Sequence, residues 1–139
     1  MSDIESKVPS ELRLPDLSCA SLAYLGDSVL ELRVREHLVR AGLSTAAHLN
    51  KAARAFVTAP AQAKAMNKIL PHLTEQEAAV YRRGRNNVHA NVPKNATMAE
   101  YRAATGMECL FAYLHLTKND ARIDELFALA YLENSLASP

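Results

Sequence analysis

The 139-residue chain holds only two cysteines, Cys19 and Cys109, with no Cys-x-x-Cys. That excludes a disulfide scaffold and a structural zinc site, and it fits a reducing cytosol. There are only four glycines, and neither a GxxxxGK[ST] nor a GxGxxG run, so no nucleotide-cradling loop is expected. No HExxH occurs, and His37, His48, His72, His89 and His115 are scattered without ligand spacing. No apolar run approaches the ~18 residues of a membrane-spanning helix. The polar start, MSDIESKVPSELR, lacks a signal-peptide core, so a cytoplasmic protein with no membrane partner is expected. Strand alternation and hairpin turns are also missing. With 49% hydrophobic and 22% charged residues, disorder is excluded and one core is expected.

The net charge of +1 conceals an asymmetry. Residues 1–36 carry −3 and residues 108–139 carry −3, whereas residues 37–107 carry +7. A middle segment this basic suits a polyanion. Between Glu77 and Glu100 there is no acid at all, while Arg82, Arg83, Arg85 and Lys94 are all basic. Asn86, Asn87, Asn91 and Asn95 add neutral groups that suit phosphate or 2′-hydroxyl contacts. Solvated helix faces would give the same charge pattern.

The apolar spacing is helical throughout, and an all-α fold in one domain is predicted over residues 15–136, with residues 1–14 as a loose tail. A first helix spans about 17–40: Leu22, Leu25, Val29 and Leu32 form one face, Pro15-Asp16 starts it and Gly42 stops it. A second runs from about 44 or 45 to 58, and a third opens with Pro60 in its first turn and ends near Pro71. Thr74-Glu75-Gln76-Glu77 matches a capping box opening a fourth, which ends near Gly84. Residues 84–96 read as a loop. Thr97-Met98-Ala99-Glu100 caps a helix to about 117, and a last helix covers about 121–136.

Two carboxylates fall in apolar stripes. On the first helix Ala23, Asp27, Leu30, Val34 and Leu38 are spaced 4, 3, 4, 4. On the helix 97–117, Tyr101, Ala104, Glu108, Phe111 and His115 are spaced 3, 4, 3, 4. A carboxylate there is costly unless it is paired or bound to a metal. Gly42 and Gly84 fall at predicted helix ends, but Gly26 and Gly106 lie inside helices, next to Asp27 and near Glu108. Close approach of the two helices, or of a ligand, accounts for them. Two oxygen ligands on facing helices suit Mg²⁺, which takes one or two carboxylates and keeps waters. The competing reading pairs both acids with arginines as structural groups. Glu31, four before Arg35, reads as an ordinary helix ion pair, and Cys109 as a small buried hydrophobe rather than a nucleophile.

The same residues carry a resemblance. Leu22-Ala23-Tyr24-Leu25-Gly26-Asp27-Ser28-Val29 resembles the signature helix of the ribonuclease III endonuclease domain, and Ala104-Thr105-Gly106-Met107-Glu108-Cys109-Leu110 resembles its second acidic helix. With Tyr81-Arg82-Arg83-Gly84-Arg85-Asn86 and Val92-Pro93-Lys94-Asn95 between them, the chain is similar to Mini-ribonuclease III, the short form without a double-stranded-RNA-binding domain. The resemblance implies an all-α, homodimeric, Mg²⁺-dependent endoribonuclease that cleaves double-stranded RNA and matures the large-subunit (23S) ribosomal RNA precursor, a ribosomal protein or the pre-ribosome being a further partner. It implies Asp27 and Glu108 as catalytic, metal-binding acids. RNA contacts are expected from Arg82, Arg83, Arg85, Asn86, Lys94 and Asn95, and dimer contacts from Phe111 and Tyr113. The longer enzymes carry additional acids where this chain has Ala20, Ala23 and Thr105. A non-catalytic RNA-binding protein on the same scaffold is the alternative, and such a protein would have no need of the two acids.

Overall fold

The computed structural model describes residues 13–88, 92 and 94–132. Among them no strand occurs, and the fold is all-α as predicted. A 3-10 turn, Leu14–Asp16, leads into α1 (Cys19–Arg40), followed by α2 (Ala46–Val57) and α3 (Ala59–Ile69). A second 3-10 turn, Leu70–His72, precedes α4 (Glu75–Asn86), α5 (Met98–Leu116) and α6 (Asp120–Phe127), which continues as a π turn, Ala128–Leu132. The expected tail over 1–14 lies outside the described residues except at its last two positions, and so does the expected end of the last helix, 133–136.

The helix starts follow from their caps. Thr74 and Thr97 accept from the backbone N–H three residues on, while Glu77 and Glu100 accept from theirs, so both capping boxes form. The start of α1 differs from the expectation. Pro15 and Asp16 belong to the 3-10 turn, and Ser18 caps the helix by accepting from the Ser21 N–H at 3.0 Å. Gly42, at φ +94°, ends that helix region as expected.

α5 is the central element, packed between α1, α4 and α3. Its Met107, Leu110, Phe111 and Leu114 meet Leu30 and Val34 of α1, Met66 and Ile69 of α3, and Ile123 and Leu126 of α6. Phe111 is fully buried there, which removes it as a dimer contact; Tyr113 is half-buried against the same core. The Leu22–Leu32 face was too long by one position. Leu32 is 58% exposed, because two residues beyond buried Leu30 it has turned about 200° to the outer side of the helix.

Glycine sets the spacing of the central helices. A β-carbon at Gly26 would collide with the Glu108 carbonyl and lie 2.9 Å from its Cα, so only glycine lets α1 meet α5 backbone to backbone. Gly84 is not a helix stop: it lies inside α4 with an ordinary φ, and a β-carbon there would sit 2.7 Å from Cys109 Sγ and 3.1 Å from Gly106 Cα. Gly106 in turn accepts the Tyr81 ring. α1 and α4 thus press on the stretch of α5 that carries Glu108.

Among the described residues, a polar network closes the far end. Arg122 donates from Nε to Glu77 Oε2 at 2.9 Å, from Nη2 to Glu77 Oε1 at 2.9 Å and to the His72 carbonyl at 2.7 Å, and it also pairs with Glu125. Among the described residues, no helix is long and apolar enough to cross a membrane.

Candidate active site

Asp27 follows the glycine at which α1 touches α5, and Glu108 is the α5 residue it touches. The backbone contact therefore fixes the separation of the two side chains. They face one cavity of about 620 Å³, walled also by Gln62 of α3, Tyr24 of α1, Tyr101 of α5 and Asn87 at the end of α4.

The two acids differ in setting. Asp27 lies on the side of α1 that two turns later buries Val34, yet it is exposed, because the cavity opens at this end of the helix. Glu108 is half-buried. Burial pushes its carboxyl up to about 8, and the charge of Asp27 and a hydrogen bond between the two side chains act in the same direction. Neither acid has an arginine or lysine salt bridge among the described residues, so the structural pairing that would have explained them is missing. Two mutually repelling carboxylates on one wall suit a small divalent cation. Among the described residues no third His, Cys, Asp or Glu joins them, so such an ion would keep most of its waters.

Other expected polar groups are spent on structure. Glu31 accepts from Arg35 at 2.9 Å, as the spacing predicted. Cys109 is 1% exposed and its thiol is raised to about 12, chiefly by burial; it is packing, not a nucleophile. Thr105 donates to the Tyr101 carbonyl at 3.0 Å, within its own helix.

The basic residues of α4 do not form one patch: positions 82 and 85 are one turn apart, about 60° around the helix, while position 83 points away from both. Arg82 is exposed beside the Thr74 cap. Arg83 donates to the Leu17 carbonyl at 2.6 Å and so ties α4 to the entrance of α1. Arg85 lies 5.6 Å from the Tyr81 ring centre, donates to Asn86 at 3.1 Å, and with Asn86 lines a second cavity that includes Asn67 and Arg102. Lys94 and Asn95 are exposed in the turn before α5. Of the described loop residues it is Asn87 and Val88 that reach the cavity of the acids.

Sequence reading missed Gln62. It is 3% exposed on the apolar face of α3, and its Nε2 has no hydrogen-bond partner among the described residues. The signal was available: Gln62 stands four before Met66 and seven before Ile69, a polar residue in an apolar stripe like the two acids.

Comparison with known proteins bears on this arrangement. The Ribonuclease III domain pattern matches residues 20–119, which includes α1 with Asp27 and α5 with Glu108. The chain belongs to the ribonuclease III family. Within that family it is similar to Mini-ribonuclease 3 of Symbiobacterium thermophilum, 42% identical over 89% of this chain and 93% of that protein. It is also similar to Mini-ribonuclease 3 of Enterococcus faecalis, 42% identical over 79% of this chain and 85% of that protein. The crystal structure of protein FN1578 from Fusobacterium nucleatum has the same fold, with a TM-score of 0.75, 30% identity, and coverage of 81% of this chain and 89% of that one. The chain is a Mini-ribonuclease 3-type endoribonuclease, as its motifs implied. Ribonuclease III enzymes act on double-stranded RNA, typically as dimers, and generally depend on a divalent metal.

Proposed function

We propose that the chain is a cytoplasmic, Mg²⁺-dependent endoribonuclease that cuts double-stranded RNA as a homodimer and matures the ends of the large-subunit ribosomal RNA precursor, within the pre-ribosome or on a ribosomal protein. Residues 15–136 form its single catalytic domain. The observation that carries this is the meeting of Asp27 and Glu108 on one cavity wall, with Glu108 raised to about 8 and no basic residue paired to either acid among the described residues.

Asp27 and Glu108 would hold Mg²⁺, which when bound supplies charge stabilisation at the phosphate and lowers the pKa of water. The chain's own residues do the rest. The Gly26 contact keeps the two carboxylates at a fixed separation. The end of α2, at Val57, and the start of α3, at Ala59 and Gln62, close one side of the cavity, which limits solvent there. Arg82, Arg85, Asn86, Lys94 and Asn95 supply charge and donors for the RNA backbone, as shape-based duplex recognition needs. Arg83 keeps a place in this set through the donors not used on Leu17.

A duplex has two antiparallel strands related by local two-fold symmetry, and a C₂ dimer presents one acid pair to each. Tyr24, 85% exposed at the cavity rim, and Leu32 and Val39 along the outside of α1 support a partner copy on this face. The test is cleavage of a plain RNA duplex and of its separated strands, with Mg²⁺ and with chelator. Cutting of the duplex alone, and only with Mg²⁺, is expected; duplex cutting in chelator would refute the metal assignment.

A further inference from the structure

One polar residue on the cavity wall takes no part in the acid pair. Gln62 is 3% exposed, its Nε2 is buried without a hydrogen-bond partner among the described residues, and its helix neighbours Ala63 and Met66 are buried and apolar. An unsatisfied buried amide works against stability, whereas an apolar side chain of the same volume would not. Gln62 nevertheless lies on the wall that also holds Asp27 and Glu108, so a partner for it can arrive through the cavity.

The chemistry of the amide narrows what that partner is. A lysine or arginine here would pair with the acids and compete with a cation. A third acid would repel the RNA backbone. A neutral amide does neither, and half a turn about its last bond exchanges donor and acceptor. The RNA strand to be cut offers matching groups: phosphate oxygens accept, and a ribose 2′-hydroxyl both donates and accepts. We propose that Gln62 hydrogen-bonds a backbone oxygen of the strand being cut and so sets the scissile phosphate against Asp27 and Glu108. This rests on the reading of those two acids as the reactive site.

The test uses Gln62→Met in the full chain, which keeps the volume and removes the amide. Three quantities are measured: single-turnover cleavage at saturating RNA and Mg²⁺, duplex affinity in chelator by fluorescence anisotropy, and Tm. Cleavage is expected to fall about tenfold or more, with affinity within about threefold and Tm unchanged or higher. A 2′-deoxy substitution at the scissile nucleotide then distinguishes the two oxygens. If the ribose hydroxyl is the partner, Q62M and wild type cut the deoxy substrate at equal rates. If a phosphate oxygen is the partner, the two losses multiply. Wild-type cleavage by Q62M would overturn the proposal. So would a parallel fall of Tm and cleavage, which marks a structural residue. Asp27→Asn is run alongside: wild-type cutting by that variant defeats the site reading itself, whereas an inactive D27N with an unaffected Q62M defeats only the role of Gln62.

Discussion

Gly26→Ala is the smallest change that strikes the geometry of the acid pair without touching either acid. A β-carbon at position 26 would overlap the Glu108 carbonyl and stand 2.9 Å from the Glu108 Cα, against the 3.4 Å where ordinary contact begins. Backbone is the obstacle, so no side-chain rotation relieves it, and α1 and α5 must part. Overpacking of this kind costs about 1–3 kcal/mol, and replacing a helical glycine by alanine returns up to about 1 kcal/mol of helix propensity. The expected net loss is therefore about 1–2 kcal/mol, which leaves the chain folded. The functional loss is larger, because the displaced backbone is that of Glu108 itself, and a shift of about 1 Å at a reacting centre costs about a hundredfold in rate. Chemical denaturation gives the first number and single-turnover cleavage of duplex RNA gives the second. Gly42→Ala is the control. It meets a positive φ of 94° but has open space around it, so it should lower stability without a specific loss of cleavage. Equal stability and wild-type cleavage in Gly26→Ala would refute the claim that this contact sets the site.

Three further outcomes are expected from the same structure. Arg122→Ala should destabilise by about 3–5 kcal/mol in urea unfolding, because it strands the buried Glu77 carboxylate. Arg122, by its hydrogen bonds first, holds Glu77 below its usual pKa of 4.5, so the pair's contribution is present above that value and is lost as pH falls through the lowered one; acid unfolding of the variant should lose that component. Since burial and Asp27 raise Glu108 to about 8, a divalent cation must displace a proton there. Mg²⁺ affinity, measured by calorimetry in buffers of different ionisation enthalpy, should rise with pH and level off above about 8, with proton release below it. Arg85→Ala and Lys94→Ala should each lower the salt slope of log K for duplex RNA by about 0.9 if each contacts one phosphate, by the duplex-DNA coefficient; an unchanged slope in the double variant would place the grip elsewhere.

Helix number and the starts of all helices but α1 were legible because the capping residues are local: Thr74 and Thr97 name their own helices. Asp27 and Glu108 were legible as polar interruptions of apolar stripes, and the structure brings them together. Their different settings were not legible, since the exposure of Asp27 depends on where a cavity opens between helices far apart in sequence. Gly84 shows the same limit. Its position near a helix end suggested a stop, yet its reason lies on α5, in Gly106 and Cys109. A run of arginines reads as one patch along the chain, but helical rotation turns Arg83 away from the other two, to the Leu17 carbonyl, and Arg82 and Arg85, one turn apart, line different hollows. Gln62 obeyed the stripe rule that exposed the acids but carries no charge to draw notice.

The central claim is that Asp27 and Glu108 act through their negative charge on bound duplex RNA. The most direct measurement compares Asp27→Asn and Glu108→Gln with wild type in two assays on one RNA duplex: affinity in chelator, and cleavage at saturating Mg²⁺. Both substitutions keep the shape of the side chain and remove its charge, and Glu108→Gln also removes the carboxyl that burial raises to about 8. The predicted result is affinity equal to or above that of wild type, with nearly all cleavage lost in each variant. Cleavage at the wild-type rate by either one would contradict the account.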